Sequence, residues 1–320
     1  MSTAAILTDN LSKRFGSIRA LDHLSLEVPR GQVFGFLGPN GSGKTTTIRL
    51  LLGLLEPSEG RASVLGLDVQ KQADQIRSRT GALLEYSGLY ERLSAEDNLD
   101  FYGRVWRLPA AQRRARSKEL LVSLGLWERR REVVSTWSRG MRQKLAVART
   151  LLHRPALVFL DEPTAGLDAL AAAALRDDLA SLVDQEGLTV FLTTHNLTEA
   201  ERLCQQVAII RQGRLLAVGK PSELRSSSDS PRVQVVGSGF TPAVVATLAA
   251  RPEVARAALD GAGLALELRP GASVAPLVRL LVGQGVDIEE VRKVKPTLEE
   301  AFINLMNETL MNETLMNEER

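Results

Sequence analysis

The sequence predicts an α/β core interrupted by a helical insert and followed by a small α+β domain. Three observations point that way. A glycine-rich turn at 38–45 joins an apolar strand to an apolar helix. Short apolar runs at 156–160, 189–193 and 207–210 alternate with segments of helical periodicity, the pattern of parallel strands covered on both faces. Around Ser226, Ser227, Ser228, Asp229, Ser230 and Pro231 the composition turns to that of a linker, and a different rhythm of elements begins. A length of 320 residues agrees with two units, since one hydrophobic core rarely serves so long a chain.

Alternating apolar positions at 6–11 and 24–28 predict short strands, and 32–37 predicts a third that runs into the turn. From 45 to 55 nearly every position is apolar or threonine. That predicts a helix covered on both sides, stopped by Pro57 and Gly60. Residues 86–149 have helical periodicity with no convincing strand and form the insert within a core domain spanning 1–225. After a linker at 226–231, the pattern reads strand 232–237, helix 241–250, strands 253–259 and 263–269, helix 273–283, strand 286–293, then a helix from about Pro296. That βαββαβ order is of the split-βαβ, ferredoxin-like type and sets an accessory domain at 232–305. The tail at 306–320 carries a tandem repeat, LMNET at 305–309 and 310–314, closing with LMNEER. Its period of five keeps no single apolar face, so it reads as a neutral, frayed extension of the last helix.

Composition narrows the function classes. With 44% hydrophobic and 24% charged residues the chain can bury a core, and its longest apolar runs, at 50–55 and 157–160, are too short for a membrane span. Residues 1–15 show no basic stretch followed by an apolar core and a cleavage site, so no secretory signal is expected. The single cysteine, Cys204, excludes an internal disulfide and a cysteine zinc site, in keeping with a reducing compartment, and reads as a small core residue. A net charge of +2 gives no reason to expect nucleic acid. The total conceals an asymmetry. Between Arg104 and Arg149 stand thirteen Lys or Arg against three Glu, while 295–320 holds six Glu against two basic residues. The basic stretch is either a solvated helix face or a surface turned to an anionic membrane leaflet.

Gly38, Pro39, Asn40, Gly41, Ser42, Gly43, Lys44 and Thr45 satisfy G-x-x-x-x-G-K-[ST] between a strand and a helix, where the pattern must lie. Glycines let successive N–H groups face one point, the helix N-terminus adds positive potential, and Lys44 can neutralise the β- and γ-phosphates of a nucleoside triphosphate. Thr45 can ligate Mg²⁺. A second apolar strand ends in Asp161 and Glu162. Buried strands seldom end in two carboxylates without a cation nearby, which predicts Asp161 in the Mg²⁺ shell and Glu162 as general base toward water. The competing reading, a plain turn before Pro163, loses weight beside the phosphate loop.

Ser138-Arg139-Gly140-Met141-Arg142-Gln143 precedes a helix 23 residues before Asp161, Ala165-Gly166-Leu167-Asp168 follows Glu162, and His195 ends the strand at 189–194. With these segments the chain resembles the nucleotide-binding subunits of ATP-binding cassette (ABC) transporters, over roughly residues 5–225. The resemblance implies a P-loop ATPase core and a head-to-tail pair of subunits with ATP between the phosphate loop of one and the signature segment of the other. It implies that Ser138 and Gly140 touch the γ-phosphate across that interface and that His195 contacts it and positions the water. It also implies Thr46 beside the phosphates, Asp168 at the interface, and Phe15 stacked on adenine, though Leu11 and Phe15 could equally be core residues. His23 and His153 lie away from these motifs and read as ordinary residues.

Two departures from the family pattern stand out. The signature, usually Leu-Ser-Gly-Gly-Gln, reads Trp137-Ser138-Arg139-Gly140-Met141, and Glu85 stands where the family has a glutamine that senses Mg²⁺. A carboxylate there can bind Mg²⁺ but repels phosphate, so Glu85 is either a metal ligand or turned toward a partner. Lys295-Pro296-Thr297-Leu298-Glu299-Glu300-Ala301-Phe302 is similar to the closing motif of accessory domains on drug- and lipid-exporter ATPases. The resemblance therefore implies export, a separate transmembrane permease and a peripheral place on the cytoplasmic face of the membrane. The alternatives are a soluble ABC ATPase acting on nucleic acid or the ribosome, and an accessory that binds ATP and barely hydrolyses it.

Overall fold

The computed structural model describes residues 4–226, 232–261, 263–269, 271–294, 297–303 and 305–306; positions 227–231 of the linker expected at 226–231 and positions 307–320 of the repeat lie outside the described residues. The chain divides into two compact units, Met1–Pro221 and Ser222–Arg320.

The first unit opens with β1 (Ala4–Phe15) and β2 (Ile18–Pro29), an antiparallel hairpin longer than the apolar alternation suggested, with the buried hydroxyls of Thr8 and Ser12 hydrogen-bonded across it. β3 (Val33–Leu37) follows, buried at every position. α1 (Lys44–Leu51) leads on to β4 (Glu59–Val64) and β5 (Leu67–Asp68), which extend the hairpin into a sheet of order β2-β1-β4-β5. Ile48, Leu50 and Leu51 of α1 share one core with Ile6, Leu24 and Val28 of that sheet and with Phe34, Phe36, Phe159 and Phe191. The helix thus lies between two sheets, as its continuous apolar character requires. It ends earlier than Pro57 would enforce. Gly53 adopts a left-handed backbone, its N–H donates to the Leu50 carbonyl and that of Leu54 to the Arg49 carbonyl, a Schellman stop.

α2 (Ala73–Arg79) and the short β6 (Thr80–Leu83) lead into the insert of α3 (Ala95–Val105), α4 (Ala110–Ser123) and α5 (Arg139–Leu151). Several of its basic residues are held in ion pairs, while Arg107 and Arg114 are exposed. Arg104 and Arg113 share Asp100, Arg116 pairs with Glu186 and Glu119, Arg129 with Glu132, and Lys144 with Asp178. Most of these acids lie outside the 104–149 window, which is why the linear count overstated the positive charge. β7 (Leu157–Asp161), α6 (Ala169–Glu186), β8 (Thr189–Thr194), α7 (Leu197–Leu203), β9 (Gln206–Arg211) and β10 (Arg214–Gly219) complete the unit. The second sheet runs β10-β9-β3-β8-β7-β6, parallel from β9 to β6. β3, β6, β7 and β8 therefore finish on one edge of the sheet, where ligands of open parallel sheets bind.

α8 (Pro221–Ser226) leads into the second unit: β11 (Arg232–Ser238), α9 (Pro242–Ala249), β12 (Val254–Asp260), β13 (Gly263–Leu268), α10 (Ala275–Gly283) and β14 (Asp287–Val294). Its sheet order is β12-β13-β11-β14 with every neighbouring pair antiparallel, the split-βαβ arrangement. Val233 and Val235 pack on Val244, Leu248, Leu277 and Leu281, whereas Gln234, one residue out of phase, bonds Arg292 and Asp260. Among the described residues, no helix is long and apolar enough to cross a membrane.

Candidate active site

The phosphate loop leaves β3 at Leu37 and enters α1 at Lys44. Gly38 has no room for a side chain, since a Cβ there would lie 2.3 Å from the Ile210 carbonyl oxygen. Gly43 has φ 106° and its Cβ would meet the Ala20 carbonyl oxygen at 2.6 Å, so both glycines are obligatory. The loop is braced from behind: the Gly213 N–H donates to the Ser42 carbonyl at 3.0 Å, and the Asp22 N–H donates to the Gly213 carbonyl at 2.9 Å. Above the loop opens a cavity of about 200 Å³, lined by Asn40, Gly41, Gly43, Lys44, Thr45 and Thr46 with Ala20 and Glu162. Gly38, Pro39 and Ser42 lie outside this lining, and the Ser42 hydroxyl is buried with no hydrogen-bond partner among the described residues.

Lys44 is almost fully buried, and its ammonium donates to the carbonyls of Gly38 and Pro39 at 2.7 and 3.2 Å. Its Nζ lies 3.2 Å from Oε1 of Glu162, an ion pair whose angle does not make a hydrogen bond. The other oxygen of Glu162 is 2.8 Å from Nδ1 of His195. One carboxylate thus bridges the phosphate-loop cation and the imidazole. Glu162 holds φ 50°, uncommon for a non-glycine residue, with its N–H shared between the Thr193 carbonyl and hydroxyl, both at 3.1 Å. That turn carries its carboxylate out of the strand direction toward the cavity.

Asp161 is the last residue of β7. It accepts hydrogen bonds from the hydroxyls of Thr45, at 2.7 Å, and Thr193. It is only 9% exposed and forms no ion pair among the described residues. A buried carboxylate beside a phosphate loop with hydroxyl donors and no cation suits a divalent ion completed by phosphate oxygens. Glu85 does not join it. The parallel strand β6 ends at Leu83, and Glu85, exposed in the bend beyond, bonds neither Thr45 nor Asp161. As a metal ligand it has no support in this arrangement.

The remaining sequence candidates sit elsewhere. Phe15 ends β1 with 47% exposure under the Lys13 ammonium, 5.2 Å from its ring centroid, so it is not core, unlike Leu11; it does not line the phosphate cavity. Ser138 caps α5, accepting from the Met141 N–H at 3.2 Å, and neither it nor Gly140 lines the cavity. Gly140 packs close to α6, where a Cβ would meet that of Ala171 at 3.0 Å. Asp168 caps α6 and accepts from the Ala171 N–H at 2.8 Å, and Arg139 donates to the Ala165 carbonyl at 2.9 Å. His23 bonds Asp22 and His153 stacks on Trp106, both away from the cavity. Cys204 is buried, and burial pushes its thiol far up.

Two participants escaped the sequence reading. Thr193 holds both Asp161 and Glu162, and the buried Glu199 accepts from Thr164 and Thr194. The available signal was a pair of threonines at the end of an apolar strand with a carboxylate five residues on.

Residues 21–165 match the ABC transporter family, and 219–306 match the C-terminal domain of DrrA1-3-like ATP-binding proteins. The daunorubicin resistance ATP-binding protein DrrA3 of Streptomyces coeruleorubidus is 39% identical over 315 residues, covering 95% of this chain and 96% of its own. The chain belongs to the ATP-binding subunits of ABC transporters. The bacitracin transport ATP-binding protein BcrA of Bacillus licheniformis is 40% identical over 68% of this ABC subunit and 69% of its own length. Among solved structures, cbiO1 from Clostridium perfringens, part of the ABC transporter complex cbiONQ, superposes with a TM-score of 0.66 at 25% identity over 70% of this chain and 91% of its own. The protein is thus an ATP-binding, ATP-hydrolysing subunit of an ABC transporter. These relatives are transporter subunits, and nothing favours the nucleic-acid alternative.

Proposed function

We propose that this subunit binds ATP with Mg²⁺ on the 38–46 loop, pairs with a second ATPase subunit, and drives export of an antibiotic-like small molecule through its permease from the cytoplasmic face of the membrane. The arrangement that carries the reading is the Glu162 carboxylate, held between Lys44 and His195 at the mouth of the phosphate cavity. Thr45 and Asp161 would hold Mg²⁺, which when bound neutralises charge on the β- and γ-phosphates. Lys44 gives up Glu162 for the phosphates, freeing a carboxylate to accept the proton of the attacking water. His195, on the other oxygen of Glu162, orients that base and contacts the γ-phosphate. Ser138 and Gly140 do not line their own chain's cavity, which supports a role at a second subunit's nucleotide, where the N-terminus of α5 offers an anion site. ATP that touches both subunits only in the closed pair favours closure by its differential affinity. The drug-resistance and bacitracin-transport relatives support export and the cargo class.

The Glu162→Gln variant tests this reading. Phosphate release should fall about 10²- to 10⁴-fold, while ATP still binds and ATP-driven pairing, measured by light scattering, becomes more persistent. Hydrolysis at the wild-type rate would remove Glu162 from the role of base.

A further inference from the structure

Glu199 lies on α7, fully buried, and its Oε2 accepts the hydroxyls of Thr164 at 2.9 Å and Thr194 at 2.8 Å. Thr164 is two residues past Glu162, and Thr194 immediately precedes His195. The β7–β8 ladder holds these strands in register only as far as Asp161 opposite Thr193, with the Glu162 N–H donating to Thr193 one step on. Pro163 then has no N–H to give, and the two chains leave the sheet for separate helices. Glu199 spans the gap. Its own position is fixed by the Asn196 cap, which accepts the Glu199 N–H at 3.0 Å while the Asn196 N–H donates to the Thr194 hydroxyl at 3.0 Å.

We infer that Glu199 is a positioning residue whose carboxyl clips the Glu162 loop to the His195 loop and so keeps the base and the imidazole in register for hydrolysis. The inference rests on the roles proposed above for Glu162 and His195. Burying a carboxyl is costly, and the cost is visible: Oε1 has no partner, and burial pushes the Glu199 carboxyl above its usual range against the pull of Thr194, Thr164 and Arg176, with Glu162 adding to the rise. A leucine would fill the same space without that penalty, whereas only an acceptor can gather two hydroxyls from two loops. The clip needs acceptor oxygen and no charge, which gives a direct discrimination from an ion-pair or packing role.

The test uses the full chain, with ATP binding followed by a fluorescent nucleotide and phosphate release measured across ATP concentration. Glu199→Ala should lower kcat about tenfold or more, as for other losses of alignment, with KM for ATP and nucleotide affinity unchanged. Glu199→Gln, whose amide oxygen still accepts both hydroxyls, should restore most of kcat. Thr164→Val should lower kcat by itself and add nothing in the Glu199→Ala background. An unaltered kcat in Glu199→Ala overturns the inference, as does a Glu199→Gln variant as slow as the alanine, or a rise in KM matching the loss in kcat. Should Glu199→Ala not fold, Thr164→Val decides, and an unchanged kcat there is equally fatal. Glu162→Gln run in parallel separates the two readings: if it hydrolyses normally the base assignment fails, and if it is inactive while Glu199→Ala is fully active only the clip fails.

Discussion

The edge of the parallel sheet and the N-terminus of α5 both present anion-binding groups, yet only the first is assembled within the chain. At the sheet edge every charged group is already engaged: Lys44 with Glu162, Glu162 with His195, Asp161 with two threonine hydroxyls. At α5 the side chain of the exposed Ser138 accepts from the Met141 N–H, and Arg139 donates to the Ala165 carbonyl. A preorganised site can hold substrate alone, whereas an open helix terminus awaits its ligand from outside. The difference teaches why Ser138 and Gly140 are read from sequence as site residues and yet do not line their own phosphate cavity.

The largest test of that contrast is Lys44→Ala, which removes the cation paired with Glu162 in the assembled site; nucleotide affinity and hydrolysis should each fall about 10²-fold or more, by titration and phosphate release. Ser138→Ala probes the other region. It should leave binding of a fluorescent nucleotide to the single subunit unchanged, weaken ATP-driven pairing, and cost about 1 kcal/mol of stability as a lost helix cap. Weakened binding to the isolated subunit would erase the distinction between the two regions. Glu85→Gln should leave hydrolysis intact or raise it, because Glu85 stands outside the assembled edge; a collapse would bring it into the site.

The smallest effect concerns the brace behind the phosphate loop. Burial opposes ionisation of Asp22, but hydrogen bonds from Arg214, His23 and Arg19 outweigh it and hold its carboxyl at about 2 against an ordinary 3.8. A lowered carboxylate stabilises the fold above the unfolded value and loses that contribution as pH falls from near 4 toward 2. Urea midpoints across that range should drop less in Asp22→Asn than in the wild type.

The phosphate loop, Asp161 and Glu162 were legible because the chemistry is local: a tight turn needs its glycines, and an apolar strand ending in carboxylates announces a charged edge. The split-βαβ order of the second unit was legible because each strand and helix keeps its own period. β6 and β10 were not, being short or half exposed, and α1 stopped at Gly53 on hydrogen bonds that only a folded helix end can make.

What the sequence determined by itself, then, is which residue types stand at each turn and strand end, since backbone geometry and apolar period are properties of neighbours along the chain. Tertiary structure alone decided which of them meet. It paired Arg113 and Arg116 of the insert with distant acids, left Glu85 outside the Thr45–Asp161 pair, and brought Glu199 beneath two loops. Those outcomes depend on strand order and helix packing, where residues far apart in the chain share one low-dielectric space and each buried charge or hydroxyl must find its partner there.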